Sequence, residues 1–204
     1  MDKLPSKPVS PIELPLLLAS VSPRRQMLLK QLGILPEAVF ASDIDETPKP
    51  EELPRLYAKR LAKAKLDAAQ IFKPDYKFIL AADTVAAAGR RILSKTNERN
   101  EAEKHLRLLS GRRHRVYTAL ALLNTQTQRY AFRLVCTIVT FSRLSEYQLQ
   151  SYLDLQEWVG KAGAYAIQGY AAGFVRSING SYSNVVGLPL FETAQLLRGQ
   201  GLIP

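Results

Sequence analysis

The sequence predicts an α/β fold, and three observations support this class. Residues 14–19 and 78–82 are short, wholly apolar runs, which are typical of strands covered on both faces. An amphipathic, helix-like segment follows each run. Residues 114–123 and 130–142 form two long strand-like segments around the polar loop 124–128, and this pattern indicates a hairpin. Strands therefore alternate with helices along the chain.

The helices are predicted from their ends and from the spacing of apolar residues. The first should begin at Ser22, a capping serine followed by proline, and should stop at Gly33. The second covers about residues 54–70, with Lys65 at the edge of its apolar face and Lys59 nearly opposite that face. Three further helices are predicted at about residues 98–109, 145–155 and 189–199.

Composition is that of an ordinary globular protein, with 47% hydrophobic and 23% charged residues among 204. We expect a single domain over residues 14–204, preceded by a loose N-terminal extension at residues 1–13. This extension is rich in proline and has no long apolar core, so neither a signal peptide nor a membrane span is expected. The single cysteine, Cys136, lies in an apolar run and is predicted to be a buried small hydrophobe in a reducing, cytoplasmic setting.

The charge balance restricts the partners. Lys and Arg number 28 against 18 Asp and Glu, a formal net charge of +10. Such a surplus suits nucleic acid, an anionic membrane or a small polyanionic substrate. The basic residues are spread along the chain and show no interleaving with aromatic residues, so we expect no stable nucleic-acid complex and no membrane binding. A pocket for a polyphosphate would use several of these cations together.

Residues 17–25 carry a signal for phosphate binding. An apolar strand ends in a short polar turn, and Arg24 and Arg25 occupy the first turn of the next helix. The N-terminus of a helix is already positive, so two cations there are unfavourable unless an anion lies between them. Two solvated arginines on an ordinary helix remain the alternative at this point. No GxxxxGK[ST] loop and no GxGxxG motif is present, so the common nucleotide folds are unsupported.

Acidic residues supply a candidate metal site. Asp43, Asp45 and Glu46 lie close together in sequence, and Asp83 directly follows the predicted strand at residues 78–82. Carboxylates at strand ends suit a hard divalent cation, although acids in a solvated loop would have the same sequence. His105 and His114 have no partners at ligand spacing and are predicted to be structural; we expect no metal site from them.

The chain contains seven short motifs in order. They are LASVSPRR at 18–25, DIDE at 43–46, RLA at 60–62 with Lys65, ADT at 82–84, LSG at 109–111 with His114 and YT at 117–118, KAGAYAIQG at 161–169, and GSYSNVVGLP at 180–189 with ET at 192–193. Together they resemble the motifs of the Maf family, over roughly residues 14–202. The resemblance implies a two-lobed mixed sheet flanked by helices, related to the inosine triphosphate pyrophosphatases, with a cleft between the lobes, and it also implies a homodimer.

The same resemblance implies an activity: hydrolysis of a nucleoside triphosphate between its α and β phosphates. It assigns phosphate contacts to Ser20, Arg24, Arg25, Lys65 and Lys95. A divalent cation, Mg²⁺, Mn²⁺ or Co²⁺, would be held by Glu46 and Asp83. Asp83, Glu46 and Lys65 would form the catalytic group, with Asp83 accepting a proton from the attacking water.

Arg24, Thr84 and Gln168 match the positions that the family uses to choose the base. The sequence around Thr84 and Gln168 resembles the branch of the family that acts on dTTP and UTP. A glutamine amide can pair with both a donor and an acceptor on a pyrimidine edge. The chain has Ser94-Lys95-Thr96 where the family usually has glycine-lysine-proline. Two alternatives remain: a pyrophosphatase for 7-methyl-GTP or other non-standard nucleotides, and a non-enzymatic, nucleic-acid-binding regulator of septum formation.

Overall fold

A computed structural model describes residues 12–72 and 75–204. Its strands are β1 (Ile12–Leu18), β2 (Ile34–Val39), β3 (Phe78–Ala88), β4 (Arg91–Leu93), β5 (Arg113–Asn124), β6 (Arg129–Phe141) and β7 (Val175–Asn179). Its α-helices are α1 (Pro23–Gln31), α2 (Pro54–Phe72), α3 (Arg99–Leu109), α4 (Glu146–Leu155), α5 (Tyr182–Val186) and α6 (Leu190–Arg198). Two short 3₁₀ helices cover Ala162–Ala164 and Tyr170–Phe174.

In the described part of the chain, seven strands form one mixed sheet. The order is β2-β1-β3-β5-β6-β7, and β4 pairs with β3 beside this path. β1 runs parallel to both β2 and β3, whereas the pairs β3–β5, β5–β6 and β6–β7 are antiparallel. This confirms the predicted α/β class with a mixed sheet flanked by helices. The division into two lobes stays a prediction.

Apolar side chains fill both faces of the sheet, and β3 contributes to both. Leu80 belongs to a large cluster that also takes residues from α1, α3, α4 and α6. Ile79, Ala81 and Val85 belong to a second cluster, in which α2 covers the opposite face. Successive side chains of a strand point to opposite faces, so this alternation fixes the direction of every polar residue on β3.

The helix predictions agree closely with the structure. α1, α2, α3, α4 and α6 all lie within two or three residues of the predicted bounds, and Gly33 after α1 has a φ of +71°. Ser145 caps α4 through a complete capping box with Gln148. One detail is wrong: Ser22 stands at the N-cap of α1, but its side chain makes no capping hydrogen bond. Lys59 is exposed, as predicted.

Three sequence-based predictions about strands need correction. Asp83 does not follow a strand; it lies inside β3, paired with Ala119, because β3 continues to Ala88. Cys136 is exposed rather than buried, because it lies on the α2 side of the sheet where α2 does not reach β6, whereas its neighbour Thr137 is buried on the other side. β1 begins at Ile12, inside the predicted extension; residues 1–11 of that extension lie outside the described residues.

None of the helices in residues 12–72 and 75–204 has the length and apolar composition that a bilayer crossing requires.

Candidate active site

The candidate site lies at an open stretch along one edge of β3. β1 pairs with β3 as far as Leu80, and β4 pairs with β3 only from Ala86 onward. Among the described strands, none pairs with the residues between these points on that side, while β5 pairs along the whole of the other side. Asp83 and Thr84 lie in this stretch and point to opposite faces of the sheet. A ligand at the open edge can therefore contact both side chains.

On the α2 face, two carboxylates share one ammonium group. Lys65 of α2 is 6% exposed, and its Nζ lies 2.5 Å from Asp83 Oδ1 and 2.7 Å from Glu46 Oε1. Lys95 Nζ lies 2.7 Å from the other oxygen of Glu46. Asp83 is 1% exposed, so its charge needs a partner of this kind. Burial alone would raise the pKa of Glu46, but the hydrogen bonds from Lys65 and Lys95 outweigh it and lower that pKa to about 2.

The segment after β2 presents Glu46 to this centre. Side chains alternate along the segment, so Ile44 packs against the core beneath α2, whereas Asp43 and Asp45 are exposed. Of the three clustered acids, the structure therefore brings only Glu46 to the site. The hydroxyl of Tyr57 donates a hydrogen bond to the carbonyl oxygen of Glu46 and holds the segment against α2. Burial, with the nearby carboxylates, raises the pKa of Tyr57 to about 12.

On the other face, Arg25 joins the loop before α1 to β3 and to the turn after α5. Its Nε donates to the carbonyl oxygen of Gly187 at 2.9 Å, and its Nη1 donates to Ser20 Oγ at 2.9 Å. Its Nη2 lies 3.4 Å from Thr84 Oγ1. Burial lowers the pKa of Arg25, an effect that the charge of Asp83 opposes, and a guanidinium stays protonated at neutral pH. The guanidinium is thus fixed with its charge beside the open edge.

Two pockets adjoin here, and we call the two together the cleft. The pocket on the Thr84 side is lined by Arg24, Arg25, Tyr165, Ile167 and Gln168 among others, and the pocket on the Asp83 side by Glu46, Tyr57 and Ser94 among others. Thr84, Lys95 and Ala162 line both pockets. One part of the cleft is therefore acidic and enclosed by lysines, and the other combines arginines with apolar walls and an exposed amide.

The structure brings all nine predicted site residues to this cleft. Seven of them line it: Arg24, Arg25, Glu46, Asp83, Thr84, Lys95 and Gln168. Ser20 and Lys65 lie directly behind, hydrogen-bonded to Arg25 and to Asp83. Replacement of the usual glycine and proline around Lys95 has not removed its side chain from the cleft.

Sequence reasoning missed one cation and several supporting residues. Lys161 lines the cleft on the Thr84 side; burial, followed by the nearby charge of Arg24, lowers its pKa. Its position at the start of the motif at residues 161–169 could have identified Lys161 as a site residue. Tyr165 lines the same wall and is held by His114, whose Nε2 lies 2.8 Å from the tyrosine hydroxyl oxygen. His114 is thus structural, as predicted.

Comparison with known proteins identifies the family. The model of the family described as Maf-like protein matches residues 15–200. This chain belongs to the Maf family. Among its curated relatives, a protein of Bradyrhizobium diazoefficiens named dTTP/UTP pyrophosphatase is 57% identical over 189 residues, which are 90% of each chain. Proteins with the same name from Gluconobacter oxydans and Nitrobacter winogradskyi are 52% and 56% identical, covering 91% of this chain and 86% and 91% of theirs.

Among solved structures, protein VC0702 from Vibrio cholerae aligns with 77% of this Maf chain and 72% of its own, at a TM-score of 0.37 and 10% sequence identity. A similarity at this level does not bear on function.

The donor groups of this Maf protein fit a divalent cation that also binds substrate. Glu46 and Asp83 bring carboxylate oxygens to the two sides of Lys65. In the described ranges no group of three or more His, Cys, Asp and Glu side chains could form a complete metal cage. Mg²⁺ is usually held by one or two carboxylates together with substrate phosphates, and two carboxylates are what this cleft supplies.

Proposed function

We propose that this Maf protein hydrolyses nucleoside triphosphates, dTTP and UTP above all, between the α and β phosphates, releasing the monophosphate and pyrophosphate. The observation that carries the proposal is the joining of two environments in one cleft: a buried carboxylate at Asp83, and cations at Arg24, Arg25 and Lys95. The names of the relatives, which are 50% identical or more, support the same substrates.

The cations bind the triphosphate and stabilise the charge that develops on the departing pyrophosphate. Arg25 is held by three hydrogen bonds that it donates to Gly187 O, Ser20 Oγ and Thr84 Oγ1, so its charge needs no reorganisation when substrate binds. Arg24 and Lys95 line the same space. The N-terminus of α1 lies beside them and adds its positive dipole end. Ser20 accepts a hydrogen bond from Arg25 through its hydroxyl and so contributes to phosphate binding by holding that guanidinium in place.

Asp83 acts as the general base and, with Glu46, holds the divalent cation, Mg²⁺, Mn²⁺ or Co²⁺. When bound, this cation neutralises phosphate oxygens and makes the α phosphorus more electrophilic. Asp83 orients the attacking water and accepts its proton. Lys65 lies between the two carboxylates and holds both in place. The low pKa of Glu46 means that this side chain is charged throughout the neutral range.

The Thr84 side of the cleft receives the nucleoside. Tyr165 and Ile167 supply apolar walls for a base, and the exposed amide of Gln168 supplies one donor and one acceptor. A thymine or uracil edge has both kinds of group. We further propose that the reaction takes place in the cytoplasm and that the enzyme is a homodimer, as the resemblance to other Maf proteins implies.

The direct test measures pyrophosphate release from dTTP, UTP, CTP and 7-methyl-GTP in the presence of Mg²⁺. We expect dTTP and UTP to be the best substrates. Asp83→Asn should lower kcat by about 100- to 10,000-fold, because general bases contribute on that order, while the melting temperature should confirm a folded protein. Asp67→Asn is the matched control, since Asp67 is a half-exposed carboxylate of α2 that pairs with Lys63 away from the cleft.

Unchanged pyrophosphate release by Asp83→Asn would contradict the assignment of the base. A preference for 7-methyl-GTP would contradict the proposed substrates. Salt-sensitive binding to DNA without any hydrolysis would favour the regulator instead.

A further inference from the structure

A line of buried hydrogen bonds leads from the cleft into the fold. Thr84 Oγ1 lies 2.9 Å from Thr118 Oγ1, and Thr118 Oγ1 lies 3.0 Å from the backbone carbonyl oxygen of Asn184. Thr118 and Asn184 are fully buried. The Asn184 amide nitrogen donates to Val116 O at 3.0 Å and to Thr137 Oγ1 at 2.9 Å, which fixes the position of this residue. Of the three linked residues, only Thr84 lines the cleft.

Counting protons fixes the direction of these bonds. A threonine hydroxyl has one proton to donate and two acceptor positions, whereas a carbonyl oxygen only accepts. The bond to Asn184 therefore uses the proton of Thr118, and the bond between the two hydroxyls must use the proton of Thr84. The competing acceptor for that proton, the carbonyl oxygen of Gly187, is 3.4 Å from Thr84 and already receives the Nε of Arg25 at 2.9 Å.

This direction decides what Thr84 can bind. Its proton points into the fold, so its oxygen presents only lone pairs to the cleft and to Arg25. Phosphate oxygens of an ionised triphosphate are acceptors, and two acceptors do not form a hydrogen bond. The substrate group that meets Thr84 must therefore be a donor. On a pyrimidine ring, the N3 position carries a proton in uracil and thymine, whereas in cytosine N3 is an acceptor.

We propose that Thr118 is a positioning residue for base selection: it holds the Thr84 hydroxyl as an acceptor for the N3–H of uracil or thymine, and so disfavours cytosine. Thr84 lines the same part of the cleft as Gln168, Tyr165 and Ile167, where the base is expected. The inference rests on the proposed function, since it concerns how that same cleft distinguishes its substrates. Thr118 itself touches no substrate.

The test compares kcat/KM for UTP with kcat/KM for CTP in the wild type, Thr118→Val, Thr118→Ala and Thr118→Ser. Valine and alanine remove the acceptor for the Thr84 proton, which then turns toward the cleft and can donate to N3 of cytosine. The UTP-to-CTP ratio should fall about tenfold in both variants, the effect expected for one hydrogen bond of ~1.4 kcal/mol. Serine keeps the hydroxyl and should keep the wild-type ratio.

The ratio separates positioning from structural damage. Partial unfolding lowers the apparent rate for both nucleotides in the same proportion, so a ratio from one preparation does not depend on the folded fraction. If Thr118→Val does not fold, Thr118→Ala gives the same information with a smaller side chain. Equal losses for UTP and CTP in the folded variants, or a serine variant that behaves like the alanine variant, would overturn the inference. A wild type that hydrolyses neither nucleotide would instead refute the proposed function.

Discussion

Replacing Lys65 with methionine tests the electrostatic centre of the cleft. Methionine keeps most of the length and volume of the side chain but removes the ammonium that joins Asp83 to Glu46. Both interactions are close, at 2.5 Å and 2.7 Å, and Lys65 and Asp83 are almost inaccessible to solvent. The variant therefore leaves a buried carboxylate without its counter-charge.

The expected loss of stability follows from this burial. Removing one partner of a buried ion pair typically costs about 3–5 kcal/mol. Glu46 is 36% exposed at its side chain and retains Lys95, so most of the cost comes from Asp83 and we expect about 3 kcal/mol. Lys63→Met is the matched control on the same helix. Lys63 and Asp67 are both well exposed, so losing that pair should cost less than about 1 kcal/mol.

The assay is urea unfolding of the wild type and both variants, followed by circular dichroism at several pH values. Glu46 has a folded pKa of about 2 and an ordinary value of 4.5, so its ionised form stabilises the fold above pH 4.5 and progressively less as the pH falls toward 2. The part of the difference between wild type and Lys65→Met that comes from Glu46 should therefore be fully present near pH 7 and should shrink below pH 4.5. Equal stabilities of Lys65→Met and Lys63→Met at pH 7 would refute the reasoning.

Two further variants probe the remaining parts of the site. Arg25→Lys keeps a charge but loses the planar fork that contacts Ser20 Oγ and Gly187 O, so kcat/KM for UTP should fall about 100-fold in steady-state assays; a fall of less than threefold would mean that charge alone suffices. Burial lowers the pKa of His114 from 6.5 to about 4. As the pH falls, this imidazole is therefore protonated in the unfolded chain before it is protonated in the folded one, and the free energy of unfolding decreases. Between pH 7 and 4.5, the wild type should lose about 2–3 kcal/mol more than His114→Gln in urea titrations, and parallel losses would exclude this residue as the cause.

The elements that sequence reasoning found are those with strong local signals. The capping box of Ser145, the glycine after α1 and the apolar stripe of α2 all lie within a few residues along the chain. β2 and β7 were missed because they are short edge strands with partly exposed side chains, and β2 also contains Pro36, which a sheet tolerates at its edge. Such strands are specified mainly by their partners, which are distant in sequence.

Cys136 shows a related limit. An apolar run predicts a buried strand, but a strand has two faces and the run does not reveal which face is covered. Thr137 is fully buried and Cys136 is exposed, although the cysteine is the more hydrophobic of the two. Thr137 faces α5, where it contacts Ser181 and Asn184, whereas Cys136 faces the α2 side of the sheet. On that side α2 lies over β3 and β5 but does not extend over β6 at Cys136.

The site could be predicted as a set of residues but not as an arrangement. The motifs identified Asp83 and Thr84 as neighbours in sequence, and both were expected to serve one substrate. Only the strand shows that they point to opposite faces, and only the early end of β1 and late start of β4 show that a ligand can reach both. Two adjacent residues can thus have different proposed roles, with the Asp83 carboxylate acting at the phosphates and the Thr84 hydroxyl at the base. A partner strand running past residues 81–85 would separate these two faces, so the open edge is as necessary to the proposed chemistry as either side chain.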